Sequence, residues 1–210
     1  MTSLVSSFIR RLKAGDAKNA LYLSYYYTYL KVYDRRHKTR FAVSHSPAQS
    51  GAATIGGTGN FPAHPVLVRR FLSKADIDRT SRIIDIGHGS GIALYVASAM
   101  GYEDLTGIEF AEEPYALSVL NLGGRAQLLR GDALTVDLSD FDAVLFFNPF
   151  GGDRARQLFT GVGDRVATVI AINADPAVGV TLRSQGFEST YEYQHRIYGN
   201  FNARIWKRDG

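Results

Sequence analysis

No cysteine occurs among the 210 residues. That excludes disulfide staples, thiolate metal sites and a cysteine nucleophile. Long apolar runs are missing too. No stretch approaches the roughly 20 residues that span a bilayer, and the first residues lack the apolar core and cleavage site of a secretory leader. The expected location is therefore cytoplasmic. The five histidines, at 37, 45, 64, 88 and 195, make no H-x-x-x-H pair and sit in no carboxylate cluster, so no metal is expected. What is present, 45% hydrophobic and 21% charged residues, is ordinary for a globular chain with a single core.

The net charge of +4 is uneven. Residues 1–40 carry nine Lys and Arg against Asp16 and Asp34, a net +7, which leaves −3 for the remainder. Residues 3–13 suit a short amphipathic helix that Gly15 ends. Asp16 can cap a second helix over roughly 17–36. Tyr22, Tyr26, Tyr29 and Tyr33 fall on one face of that helix and are expected to pack on the domain. Its basic residues then form a solvated face. The alternative is contact with an anionic partner or a membrane surface. Residues 41–61 are rich in Gly, Ser, Thr and Ala, and a loop of about twenty residues in a small domain reads as a lid or binding loop. Pro65 then opens a helix over 66–74.

The centre of the sequence is Arg82 to Gly91, Arg-Ile-Ile-Asp-Ile-Gly-His-Gly-Ser-Gly. An apolar β run ends in glycines at 87, 89 and 91, and a helix follows. Glycines allow sharp turns and close backbone approach to a ligand, and a helix N-terminus offers free N–H groups. The spacing is G-x-G-x-G, whereas the dinucleotide fingerprint puts its third glycine one position later. From here strands at 82–86, 104–109, 126–130, 143–147 and 165–172 alternate with helices at 91–100, 112–122, 153–159 and 175–186. That alternation predicts a parallel sheet. The end departs from it. Residues 187–198 and 201–208 are two β-rich runs around Gly199-Asn200, a hairpin signal that sets a strand antiparallel to the rest.

The glycine stretch resembles motif I of the class I S-adenosylmethionine (SAM) methyltransferases, D-x-G-x-G-x-G. Asp85, Gly87, Gly89 and Gly91 match every fixed position. The resemblance covers about 82–208. It implies a Rossmann-like α/β fold, a seven-stranded, mostly parallel sheet with a C-terminal antiparallel hairpin. Residues 76–210 would be the SAM-binding core and 1–75 an N-terminal helical lid segment of the same domain. It further implies that the loop, His88 included, cradles the amino-acid end of SAM. Glu109, ending the second strand, accepts from the ribose hydroxyls, and Phe110 packs on adenine. Gly131-Asp132-Ala133 resembles the segment that contacts adenine: the acid of Asp132 accepts from the exocyclic amine, and the N–H of Ala133 donates to a ring nitrogen. Asn148-Pro149-Phe150 resembles motif IV, (D/N/S)-P-P-(Y/F), shortened by one proline. It implies that Asn148 meets both cofactor and target amine and that Phe150 stacks on a planar target. If the acceptor is a hydroxyl, His64, His45 or His88 is a candidate general base.

The sequence reading is therefore a SAM-dependent methyltransferase acting on nitrogen or oxygen of a small molecule or exposed side chain. Duplex nucleic acid is not expected, because 41–210 lacks a basic excess. The alternatives are a nucleic-acid base methyltransferase, an NAD(P)-dependent oxidoreductase and a non-catalytic SAM-binding module.

Overall fold

A computed structural model describes residues 17–43, 62–194 and 202–208. The expected helix at 3–13, the loop from residue 44 to 61, His45, His195 and the Gly199-Asn200 turn lie outside the described residues. In chain order the elements are α1 (Ala17–His37), α2 (Pro65–Ala75), β1 (Ile83–Ile86), α3 (Ile92–Ala99), β2 (Leu105–Glu109), α4 (Glu112–Leu122), β3 (Gln127–Arg130), β4 (Ala143–Phe146), α5 (Gly152–Thr160), β5 (Thr168–Ile172), α6 (Pro176–Ser184), β6 (Glu188–Gln194) and β7 (Asn202–Lys207).

The strands form one sheet in the order β3-β2-β1-β4-β5-β7-β6. β1 to β5 run parallel, and β7 is antiparallel to both β5 and β6. The strand order reverses between β1 and β4, which is where open α/β sheets place a ligand crevice. Every residue of β1, β4 and β5 is buried, as parallel strands covered on both faces require. Their alternate side chains feed two cores. Ile83, Leu105, Leu145, Ile170 and Ile205 pack with α1, α2 and α3 on one face. Ile84, Ile86, Ile108, Val144, Phe146 and Trp206 pack with α5 and α6 on the other. Burying a large apolar side chain is worth roughly 1.5–3 kcal/mol each, so these two layers outweigh any single polar contact.

The tyrosine face of α1 packs as expected. Tyr26, Tyr27 and Leu30 are buried in the first core, with Tyr22, Tyr29 and Tyr33 partly buried against it. The Tyr26 hydroxyl donates to the Pro62 carbonyl. After α1 the chain turns sharply, and Asp34 holds the turn. One carboxylate oxygen accepts from Thr39 Oγ1 at 2.8 Å and the Phe41 N–H at 2.7 Å, and the other from the Ala42 N–H at 2.8 Å. Phe41 is thereby set into the core beside Tyr95. No helix among the described residues is long and apolar enough to cross a membrane.

Candidate active site

The loop after β1 carries three glycines in the left-handed region: Gly87 (φ 69°), Gly89 (φ 55°) and Gly91 (φ 86°). Any other residue would be strained there. Two of them also lack room for a side chain. A Cβ on Gly87 would lie 2.3 Å from Pro149 Cβ, and one on Gly91 would lie 2.8 Å from Leu122. The loop is therefore wedged between the chain after β4 and helix α4. Backbone bonds tie it to β2, since the Gly87 N–H donates to the Ile108 carbonyl at 2.8 Å.

Asp85 and Glu109 lie on the α3 side of adjacent parallel strands, because Asp85 pairs with Gly107, two residues before Glu109. Asp85 is 1% exposed and its Oδ1 has no hydrogen-bond partner. Burial first, and the Glu109 charge second, push its carboxyl up to about 8. Glu109 receives the Gly89 N–H at 2.9 Å on one oxygen and the Ala111 N–H at 2.8 Å on the other. Burial still raises it above the ordinary carboxylate range, against the pull of those N–H groups. Phe110, half-buried, follows directly.

At the end of β3, Asp132 begins a short 3₁₀ turn, Ala133–Thr135, with Ala133 buried. Its Oδ1 accepts from the Leu134 N–H at 3.0 Å. At the end of β4, Asn148 takes φ 49°, a left-handed conformation that asparagine tolerates better than most residues. The ends of β1, β2, β3 and β4 thus bring Asp85, Gly87, Gly89, Glu109, Asp132 and Asn148 to one edge of the sheet, at the crevice the strand order defines.

Three side chains are placed differently from expectation. The His88 ring turns inward over β2, where a Cβ on Gly107 would sit 2.5 Å from its Cδ2. Burial pushes its pKa down to about 4, so it is a neutral packing group, and its Nδ1 lies 2.9 Å from the Gly89 carbonyl of the same loop. Phe150 is buried, its ring edge-on to Phe146 at 5.5 Å. The expected stacking face for a planar target is taken up by core packing, because Phe146, Phe150 and Phe159 fill the layer under α5. His64 caps α2, its Nδ1 accepting from the Val66 N–H at 3.2 Å, and its ring stacks on Tyr29 at 4.6 Å. Those are structural roles.

Two positions were not legible as site residues. Asn121 donates to the Ser90 carbonyl at 2.9 Å and accepts from the Arg40 N–H at 2.8 Å, so it joins the glycine loop to the turn after α1. The one sequence signal is a polar residue flanked by Leu120 and Leu122 at a helix end. Arg154, on the first turn of α5, pairs with Asp132 at 2.5 Å. No short motif announces that contact. Among the described residues, four buried side-chain polar atoms have no partner: Asp85 Oδ1, His88 Nε2, Ser90 Oγ and Arg154 Nε. Three belong to the glycine loop and its strand, and the fourth to the residue paired with Asp132.

No protein-family model and no curated protein sequence matches the chain. Solved structures do. A ribosomal protein L11 methylase from Lactobacillus delbrueckii subsp. bulgaricus superposes with a TM-score of 0.60 at 15% identity, covering 71% of this chain and 81% of that one. An RNA methyltransferase from Salinibacter ruber, in complex with S-adenosyl-L-homocysteine, gives 0.56 at 18% identity over 70% and 93% of the two chains. A glycopeptide N-methyltransferase, also complexed with S-adenosylhomocysteine, gives 0.57 at 13% identity over 71% and 91%. The chain therefore shares a Rossmann-like fold with these structures: a seven-stranded sheet, mostly parallel, closed by an antiparallel hairpin.

Proposed function

We propose that the protein is a SAM-dependent methyltransferase. The carrying observation is the buried, partnerless Asp85 Oδ1 and the strand-end carboxylate of Glu109 beside the glycine loop. Those groups fit a cationic nucleoside. Asp85 Oδ1 is a buried acceptor beside the loop. Glu109 has its two oxygens already oriented by backbone N–H groups and keeps acceptor capacity for ribose hydroxyls. Asp132 and the Ala133 N–H would address adenine. When bound, SAM supplies an electrophilic methyl group on a sulfonium, for direct displacement by the acceptor. The chain's own work is to hold the two reactants in line and exclude water, and Asn148, at the end of β4, would orient the acceptor.

The fold does not select that acceptor, since the similar structures include RNA, ribosomal-protein and glycopeptide methyltransferases. We favour nitrogen or oxygen of a small molecule or exposed side chain, in the cytoplasm. The buried ring of Phe150 removes the stacking surface that a flipped base would use. The second reading, RNA base methylation, rests on Asn148-Pro149-Phe150 and the basic residues of 1–40. Calorimetry with SAM, S-adenosylhomocysteine and NAD tests the cofactor. Micromolar binding of the first two is expected, and NAD binding without SAM binding would end this reading. Product masses after incubation with SAM and candidate acceptors then identify the substrate.

A further inference from the structure

Arg154 occupies an unusual position. It lies two residues into α5, whose N-terminal residue follows the Asn148-Pro149-Phe150 segment. Its guanidinium reaches from there to Asp132, 22 residues back, at 2.5 Å. It also lies over the Phe150 ring at 5.3 Å. Its side chain is only 26% exposed, and its Nε is buried with no partner. The Asp132 oxygen it meets is Oδ1, which already accepts the Leu134 N–H. Two donors therefore converge on one oxygen, and no described bond engages Oδ2. A carboxylate held this way cannot exchange its oxygens by rotation without breaking both bonds.

We infer that Arg154 fixes Asp132 as an acceptor-only group toward the purine six position, and so selects the amino group of adenine over the carbonyl of hypoxanthine. This rests on the SAM reading above. An ionised carboxylate accepts from an amine and repels a carbonyl oxygen. It discriminates only while its orientation is held, and the guanidinium, a rigid fork braced on Phe150, does the holding. Arg154 is a positioning residue in this account: it acts through Asp132.

The test compares dissociation constants for S-adenosylhomocysteine and its deaminated analogue, S-inosylhomocysteine, by calorimetry. The parent should prefer the adenosyl ligand by at least about tenfold, as expected for a good polar contact made to one ligand and denied to the other. Arg154→Met should weaken the adenosyl ligand by about tenfold and leave the inosyl ligand within about twofold, so that the preference collapses. Arg154→Lys, which keeps the charge without the fork, should fall between. Asp132→Asn, whose amide can donate to a carbonyl, should erase the preference directly, and Arg154→Lys carries the test of Arg154 if the Met variant folds poorly. Equal weakening of both ligands in Arg154→Met, or an unchanged ratio, would show a merely structural role and overturn the inference. A parent that binds both ligands equally would also overturn it. If the parent binds neither, the SAM reading itself falls, and a NAD titration identifies that case.

Discussion

Replacing Asp85 by asparagine should flatten the dependence of stability on pH between 6.5 and 8. Asp85 is fully buried and its carboxyl is raised from 3.8 to about 8. A raised acid binds its proton more tightly when folded. Its stability contribution is therefore complete below about 4 and is lost as pH climbs to 8. The loss is about 1.4 kcal/mol per pH unit while the folded group is protonated and the unfolded one is not. His88 acts in the opposite sense. Burial lowers it from 6.5 to about 4, so the unfolded chain takes up the extra proton and stability rises with pH across that window. The two slopes cancel below 6.5. Above it His88 no longer offsets the Asp85 loss, about one and a half units and hence about 2 kcal/mol by pH 8. Glu109, also raised by burial, adds a slope of the same sign. For a chain of this size 2 kcal/mol is about 4–8 °C in Tm. Thermal melts of the ligand-free protein at pH 5, 6.5 and 8 measure it. The parent should lose that much more than Asp85→Asn between the last two values, and parallel curves for the two proteins would refute the reasoning.

Glu109→Ala should weaken S-adenosylhomocysteine binding by about 10- to 100-fold, the worth of a charged acceptor, with the far-ultraviolet circular dichroism unchanged; parental affinity would place the ribose elsewhere. Gly107→Ala should destabilise the fold by about 1–3 kcal/mol, read by urea melts, because its Cβ would lie 2.5 Å from His88 and 2.6 Å from Leu94. Duplex DNA and RNA should show no binding tighter than about 10⁻⁴ M at physiological salt, the weak end of non-specific binders; tighter binding coupled to methyl transfer would promote the RNA reading.

The periodic features of this fold were legible because they are local. Ile83, Ile84 and Ile86 make an uninterrupted apolar run only because β1 is covered on both faces. The G-x-G-x-G spacing is written in the backbone: three residues in a row of five need left-handed or sterically open positions. The hairpin at the end showed as two β runs without a helix between them. Even the helix bounds came close, since α1 and α2 each begin or end within a residue or so of the sequence reading.

What escaped is whatever depends on which way a side chain turns once neighbouring strands are in place. His88 sits between two glycines that suggest an open loop, yet its ring points into the sheet. It can do so because β2 has a glycine at 107, in register with Asp85. That glycine carries no motif, and only the pairing of β1 with β2 reveals that the two residues share one space. Arg154 is a parallel case on the other side of the crevice, its partner Asp132 supplied by a different strand end. The pattern is the same in both: the recognisable motif places a backbone, and an unremarked residue on the adjacent element decides what that motif presents. His88 packed over Gly107 turns the loop's own side chain away from the crevice. Its backbone and Asp85 are left as the groups that the loop and β1 offer a ligand. Arg154 gripping one oxygen of Asp132 decides which oxygen of the carboxylate is left open. Substitutions at 107 and 154 should therefore separate: Gly107→Ala should act on stability, and Arg154→Met on ligand choice.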